Sequence, residues 1–558
     1  MALDPITLEV LYNALRSVAD ETYIALMRAA YATNIKERHD HSTVIVDPAG
    51  RQIVQAENAL PIHLSSMRGL MQRLLAKFPV AAMQPGDLFI ANDPHVAGGS
   101  HLPDINMAMP VFVAGRLLGF MCNVAHHADI GGMSAGSIAG GMSEIWQEGL
   151  RIPIVRLFHA GELARDLFEL LLLNARLPAE RRGDYNAQIA ACRLGARRLG
   201  EIAARYSVDQ IREAFDEIVA RTERRLRLAV AALPDGVYRF RDVMDDDGLG
   251  ARDIPIELAI TIAGDRIVFD FAGTAAQVAG NINVPYDPTL ATVCYALKAL
   301  LDPDVPNNQG VIDVCEVAAP EGSLVNCRPP AAVAGRANTC QRICDMIVGA
   351  LAPALPRAAV GASNGANTTA VFSGTDPRTG RGYLYMETLG GGFGGRFDHD
   401  GTDGVQVHTT NTSNLPVEAI ESEYPLRVVR YELIPDTGGP GRQRGGLGMR
   451  RVVQPVGHSC TFSGQGERFR HRPWGVFGGG EGAPGRFARR NAAGAIEPLA
   501  TKPSGITISP DEELIIETPG AGGYGPPAER ADVAVAEDRV SGKFQPAFLD
   551  RHYAKRER

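Results

Sequence analysis

Several features that would fix a function class at once are missing from this sequence. No stretch approaches the roughly 20 consecutive apolar residues of a membrane-spanning helix. The most apolar short run, Leu170 to Leu173, is soon followed by Asn174 and Arg176. The opening Met-Ala-Leu-Asp-Pro has no basic segment ahead of an apolar core, so no secretory signal is expected and the cytoplasm is the expected compartment. Excess positive charge is missing too. Lys and Arg number 56 against 64 Asp and Glu, a net charge of −8, which argues against nucleic acid or an anionic membrane as the main partner. No pair among the eight cysteines has Cys-x-x-Cys spacing, so neither a zinc knuckle nor a thioredoxin-like site is indicated. These thiols are expected to be reduced and mostly in cores. The Gly-x-x-x-x-Gly-Lys-Ser/Thr phosphate loop is absent, and no nucleophile elbow of a serine hydrolase is expected.

Glycine and proline, by contrast, are plentiful. The 558 residues include 61 Gly and 36 Pro, above the usual shares of about 7% and about 5%, which implies many turns and short strands. With 45% hydrophobic and 22% charged residues, bulk disorder and a coiled coil are both excluded.

Leu11, Leu15, Val18, Thr22, Ala25 and Ala29 recur at three- and four-residue steps, predicting a helix over 5–34 with Asp4 as its N-cap before Pro5. β-Branched runs at 43–46 and 51–54 flank Asp47-Pro48-Ala49-Gly50 and predict a hairpin. Leu64, Met67, Met71, Leu74, Leu75 and Phe78 mark a second amphipathic helix, followed by strands near 87–92, 106–113 and 117–125. Residues 161–232 read as helical, broken near Pro178 and Gly183, up to a boundary at Pro234-Asp235-Gly236. Short strands follow, such as 256–262 and 267–271, with helices near 288–301 and 339–351. The expected fold class is α+β and multidomain, with mixed helices and antiparallel sheets and a β-rich C-terminal third. The expected units are 1–160 carrying a metal site, a helical segment 161–233, an α+β domain 234–429, a glycine-rich β domain 430–525 and a tail 526–558 that packs on a neighbour.

Seven of the 13 histidines lie between residues 39 and 127, in the company of carboxylates: His39-Asp40-His41, Asp93-Pro94-His95, His101-Leu102-Pro103-Asp104 and His126-His127-Ala128-Asp129. Imidazole with carboxylate suits Zn²⁺, Mn²⁺ or Fe²⁺. A hairpin turning at Ala114-Gly115-Arg116 sets Asp104 opposite His126, with Cβ atoms about 5 Å apart. His101 stands one rigid turn before Asp104, and Asp40 lies just before the first strand of the other hairpin. The residues alone leave two readings open, a metal site or plain turn chemistry.

The stretches Glu37-Arg38-His39-Asp40, Asn92-Asp93-Pro94-His95, His101-Leu102-Pro103-Asp104-Ile105, His126-His127-Ala128-Asp129 and Gln147-Glu148-Gly149-Leu150-Arg151 resemble the hydantoinase B / oxoprolinase family. The likeness runs on through Gly280-Asn281-Ile282-Asn283, Gly390-Gly391-Gly392 and Thr518-Pro519-Gly520-Ala521-Gly522, covering nearly the whole chain.

The resemblance implies a zinc or manganese ion held by Asp40, His101, Asp104 and His126. It departs at His41, where family members often carry an aromatic such as Phe, a change expected to alter the pocket wall or to add a polar contact. It implies the metal-bearing subunit of an ATP-dependent cyclic amidase opening a hydantoin, 5-oxoproline or lactam ring. A separate hydantoinase A-type ATPase subunit would bind the ATP, in an (αβ)₂ hetero-oligomer. His127 and Asp129 are candidates for moving protons or for orienting His126. Glu148 and Arg151, beside the Gly-rich loop 130–141, are candidates for substrate contact or a plain surface pair. Two alternatives stand beside this reading: the catalytic subunit of an ATP-dependent ketone carboxylase, and a non-catalytic assembly subunit with a structural metal.

Overall fold

The computed structural model describes residues 3–63 and 66–554. Helix α1 (Pro5–Ala29) starts as its cap dictates, with the Asp4 carboxylate accepting from the backbone N–H groups of Ile6 and Thr7. It stops short of the expected Asn34. The N–H groups of Tyr31 and Ala32 are taken by the Asp184 carboxylate, which pulls the chain out of the helix before a single turn, α2 (Thr33–Lys36).

A seven-stranded antiparallel sheet follows, built from β1 (His41–Val46), β2 (Gln52–Gln55), β3 (Leu88–Ala91), β4 (Asp104–Val113), β5 (Arg116–His126), β6 (Val155–His159) and β7 (Glu162–Leu163) in the order β2-β1-β5-β4-β3-β6-β7. Helix α3 (Ser66–Lys77) covers one face; Leu64, expected on that helix, lies outside the described residues. The other face is covered by α1 and by helices that follow the sheet: α4 (Arg165–Leu173), α5 (Pro178–Ala203) and α6 (Val208–Ala231). Every residue of β1 is therefore buried. Val44 and Val46 pack with Met71, Leu74 and Phe120, whereas Ile45 packs with Leu11, Leu15 and Phe215. The helical region breaks ahead of Pro178 as expected, but Gly183 lies inside α5 rather than at a break. A Cβ there would come within 2.2 Å of the Tyr31 ring, so this glycine serves a close approach between elements.

A second sheet comprises β8 (Gly236–Asp246), β9 (Arg252–Ala263), β10 (Arg266–Asp270) and β11 (Cys315–Ala318), with β10 and β11 parallel. Packed on it are α6, α7 (Tyr286–Leu301), α8 (Gln309–Val314) and α9 (Arg336–Leu351), which form the largest apolar cluster. α9 is buried on almost every side. Beyond it come β12 (Thr368–Thr375), β13 (Gly382–Leu389), α10 (Val417–Glu423), β14 (Leu426–Leu433), β15 (Met449–Pro455), β16 (Cys460–Gln465), β17 (Arg486–Arg490), β18 (Ile496–Pro498), β19 (Ile506–Ile508) and β20 (Glu513–Glu517). They form two antiparallel sheets, β13-β12-β16-β19 and β14-β15-β20-β17-β18. The fold is thus α+β, of mixed helices and mainly antiparallel sheets, with a β-rich C-terminal third.

The glycines of 390–395 are packed backbone rather than a phosphate cradle; a Cβ on Gly394 would sit 1.8 Å from the Gly361 carbonyl oxygen. The tail is helical, α11 (Asp532–Val540) and α12 (Pro546–Tyr553), and the neighbour it packs on belongs to the same chain. Phe544, Leu549 and Tyr553 cluster with Leu447, and Arg530 bridges Asp400 and Asp538. All eight cysteines are free and buried. Among the described residues, no helix is long and apolar enough to cross a membrane.

Candidate metal centre

The β4–β5 hairpin places Asp104 directly opposite His126 and keeps one register as far as Val111 and Gly119, with a bulge only near the turn. His101 precedes β4 in a turn closed by the Asp104 N–H donating to the His101 carbonyl. One donor atom each from His101, Asp104 and His126 falls within 4.8 Å of the others, and all three residues are buried. The His101 Nδ1–H donates to the Ala334 carbonyl at 3.2 Å, which leaves the Nε2 lone pair facing Asp104 Oδ1, also at 3.2 Å. His101 Nε2 and Asp104 Oδ1 are both buried without a hydrogen-bond partner, an arrangement that costs about 1–3 kcal/mol for each polar group unless something satisfies it. A divalent ion would satisfy both. Asn34 sits 3.3 Å from His126 Nδ1 and orients the second ring.

The charge states suit ligation. Burial pushes His101 down to about 4, helped by the Arg336 guanidinium, and burial likewise holds His126 well below its ordinary value. Burial alone would raise the Asp104 carboxyl, but contacts with His101, His63 and Arg336 hold it well below the usual carboxylate range, and with His101 itself neutral the Arg336 guanidinium is the charge that does so. Two neutral imidazoles and an ionised carboxylate bind a metal with no proton to release. Asp40 lines the same cavity, outside this close group of three. A left-handed His39 (φ 60°) turns the chain into it, and its carbonyl accepts from the His126 N–H. Burial raises its carboxyl, with the Arg38 charge opposing.

The other expected site residues do not line this cavity. His127 follows His126 and therefore points to the other face of the sheet, where its Nε2 bonds Gln188 and its ring packs on Tyr185. His127→Ala is expected to leave metal content at the wild-type level while costing about 1–3 kcal/mol of stability; elemental analysis and urea unfolding on one preparation would check this. The Asp129 carboxylate accepts from the N–H groups of Gly131, Gly136 and Arg176 and from the Arg176 side chain, pinning the loop 130–141 in place. Glu148 is sealed from solvent, and its Oε1 accepts the N–H groups of Val333 and Ala334. It thereby holds the segment whose carbonyl orients His101. Arg151 pairs with Asp93 and lies over the Trp146 ring. His41, expected in the pocket wall, instead stacks on Tyr23 at 4.0 Å and bonds its carbonyl.

The fold also brings in residues from far along the chain. Arg336, at the start of α9, donates to Asp104 Oδ2 at 3.0 Å and to Ser100. His63 Nε2 lies 3.7 Å from the same carboxylate oxygen. Arg38, Asn338, Asn367, Thr388 and Thr410 complete the polar wall, with Leu60, Ile62, Ile138 and Met386 as its apolar part. Arg336 and Asn338 stand out in sequence as polar residues in a Gly/Ala-rich setting, and His63 belongs to the histidine cluster but has no neighbouring carboxylate. Two Gly-x-Ser-x-Gly stretches occur, Gly132–Gly136 and Gly361–Gly365. Neither serine sits on a strand-to-helix turn, and the Ser363 hydroxyl only accepts from the Gly365 N–H.

The model of the family described as Hydantoinase B/oxoprolinase matches residues 4–527, and the chain belongs to that family. It is 33% identical, over 97% of this chain and 93% of the other, to the B component of a provisionally named D-/L-hydantoinase of Pseudomonas sp. (strain NS671). The crystal structure of ATP-dependent caprolactamase from Pseudomonas jessenii superposes with a TM-score of 0.92 at 29% identity, covering 99% of this chain and 96% of that one. A nucleotide-free acetone carboxylase structure superposes with a TM-score of 0.91 over 99% of this chain and 79% of that chain; at 19% identity this likeness is one of fold alone.

Proposed function

We propose that this chain is the metal-bearing hydrolytic subunit of an ATP-dependent cyclic amidase, acting in the cytoplasm with a separate ATPase subunit in an (αβ)₂ hetero-oligomer. The observation that carries this reading is the pair of buried, unpartnered ligand atoms, His101 Nε2 and Asp104 Oδ1, grouped with His126 beside a cavity that His101, His126 and Asp40 line. The names of the relatives support the partner and the chemistry, one being a single component of a hydantoinase and another an ATP-dependent lactamase. A zinc or manganese ion held by Asp40, His101, Asp104 and His126 supplies, when bound, Lewis acidity toward a carbonyl and a lowered pKa for water.

The chain's own residues do the positioning. Arg336 occupies Asp104 Oδ2, which leaves Oδ1 facing His101. The Ala334 carbonyl fixes the His101 tautomer, and Glu148 fixes Ala334. Asn338, Asn367 and Thr410 offer hydrogen bonds to the N–H and carbonyl of a ring amide, while Ile62, Ile138 and Met386 limit water. His127 and Asp129 keep the end of β5 and the following loop in register with the site, and Arg151 with Asp93 holds the loop's far side. An unstrained cyclic amide is a poor electrophile, so the ATPase partner transfers the terminal phosphoryl group of ATP to the carbonyl oxygen; water then adds to that carbon here, phosphate leaves with the oxygen it was attached to, and the ring C–N bond breaks with a proton passing to nitrogen.

The isolated chain is expected neither to bind nor to hydrolyse ATP, because it has no phosphate-cradling motif. Ring opening of hydantoin, 5-oxoproline or caprolactam should appear only after an ATPase subunit is added. Calorimetric titration with ATP and a coupled phosphate-release assay test this; steady ATPase activity from the single chain would contradict it.

A further inference from the structure

Among the described residues, five arginine side chains are sealed completely from solvent: Arg38, Arg181, Arg342, Arg451 and Arg468. Four of them have a carboxylate at hand. Arg181 lies 2.8 Å from Asp184, Arg342 3.0 Å from Asp242 and Arg468 2.9 Å from Asp242, and Arg451 bonds Glu387. Arg38 differs. Its Nη1–H donates to the Met386 carbonyl at 3.0 Å and its Nη2–H to the Thr388 hydroxyl at 2.6 Å. Its Nε–H has no partner, and no described carboxylate lies within 4.0 Å. Arg38 thus lacks the direct ion pair that the other four have; the Asp40 carboxylate, two residues on in the same cavity, is the opposite charge it acts on, and that compensation is lost when Asp40 is committed to a metal. Arg38 lines the cavity that holds His101 and His126.

The charge balance of the cavity points the same way. Asp40 and Asp104 neutralise one divalent ion, and Arg336 is already bonded to Asp104. Arg38 and Arg336 then remain as two formal positive charges facing a wall of neutral amides and hydroxyls. One of these, Asn367, has a buried Oδ1 with no partner.

We infer that Arg38 is the anion-binding residue of this cavity, receiving an oxyanion group carried by the substrate, either a ring carboxylate or a transferred phosphoryl group. The inference rests on reading the cavity as the cyclic-amide site. Two of the five N–H donors of the guanidinium are held by Met386 and Thr388, which fixes its plane, and the Nε–H is left without a partner for a charge-assisted bond.

Inorganic phosphate is the probe. Titrated calorimetrically into the metal-loaded chain, it should bind Arg38→Gln about 10- to 100-fold more weakly than wild type, the loss expected for a hydrogen bond to a charged group. Unchanged phosphate affinity in a variant that melts like wild type would overturn the inference. Should Arg38→Gln fail to fold, a wild-type crystal soaked in phosphate decides: density at the Arg38 guanidinium supports it, and phosphate seated elsewhere in the cavity overturns it. With the ATPase subunit present, hydantoin and 5-oxoproline distinguish the two sources. Equal loss of kcat/KM on both substrates identifies the phosphoryl group, loss confined to 5-oxoproline identifies the ring carboxylate, and loss on neither removes Arg38 from recognition. If wild type opens neither ring, the amidase reading fails, while the phosphate titration still tests Arg38.

Discussion

Asp104→Ala is expected to release the divalent ion, abolish ATP-coupled ring opening and lower stability by about 3–5 kcal/mol, the usual cost of stranding one partner of a buried ion pair. Each part has its own cause. Oδ1 faces His101 Nε2 and belongs to the close group of three donors, so its removal leaves two imidazoles and the more distant Asp40 to hold the ion. Oδ2 is the carboxylate partner of Arg336, whose side chain is nearly sealed, and it also faces His63. Asp104→Asn separates the two effects. The amide oxygen can still accept from Arg336, so the stability loss shrinks, but the charge that holds the metal is gone. Elemental analysis of both variants, with denaturant unfolding referenced to chelator-treated wild type, makes the comparison. Full metal content in Asp104→Ala would remove this residue from the centre.

The half of the centre built by local pairing is legible in the sequence. The pairs beside the turn, Val113 with Arg116 and Phe112 with Leu117, would set Asp104 across from Ala125; the bulge that follows them shifts the pairing by one residue and puts Asp104 across from His126. His101 follows because it is a single turn away. The residues that tune the centre are not legible in this way, since Arg336 and the Ala334 carbonyl arrive from more than two hundred positions downstream, where the start of α9 and the segment before it reach the end of β4. Spacing carries no information about such a contact. Glu148 shows the same limit from the other side. Beside a Gly-rich loop and near Arg151 it reads as a surface or substrate-facing acid, whereas the crossing of 333–334 beneath it makes it a buried clamp on the backbone. Gly183 reads as a helix break by propensity, and only the Tyr31 ring lying against α5 explains why a helix keeps a glycine there. His127, next in sequence to His126, is turned away from the His101–Asp104–His126 group and toward Gln188 and Tyr185.

Glu148→Gln is expected to reverse its stability relative to wild type between acid and alkaline pH. The Glu148 carboxyl is fully buried, and burial, opposed by the Ala334 and Val333 N–H groups and the Arg336 charge, holds its proton up to about 8 against an ordinary 4.5. Above pH 4.5 the unfolded chain loses that proton while the folded chain keeps it, so the stability contribution is fully present below 4.5 and is lost as pH rises through 8. By pH 8 the loss amounts to about 5 kcal/mol. Glutamine keeps the carbonyl oxygen that accepts from Val333 and Ala334, and it does not titrate. It places an amide group where Oε2 is buried without a partner, at a cost of about 1–3 kcal/mol at every pH. The variant should therefore be less stable than wild type near pH 5 and more stable near pH 8–9, where its curve is flat and that of wild type has fallen. Because Ala334 stays in place, its metal content should be unchanged at both ends of the range. Urea unfolding of both proteins at closely spaced pH values reads the slope directly. Parallel curves through pH 5–8 would show that Glu148 titrates at its ordinary value, and would return it to the role of a solvent- or substrate-facing acid.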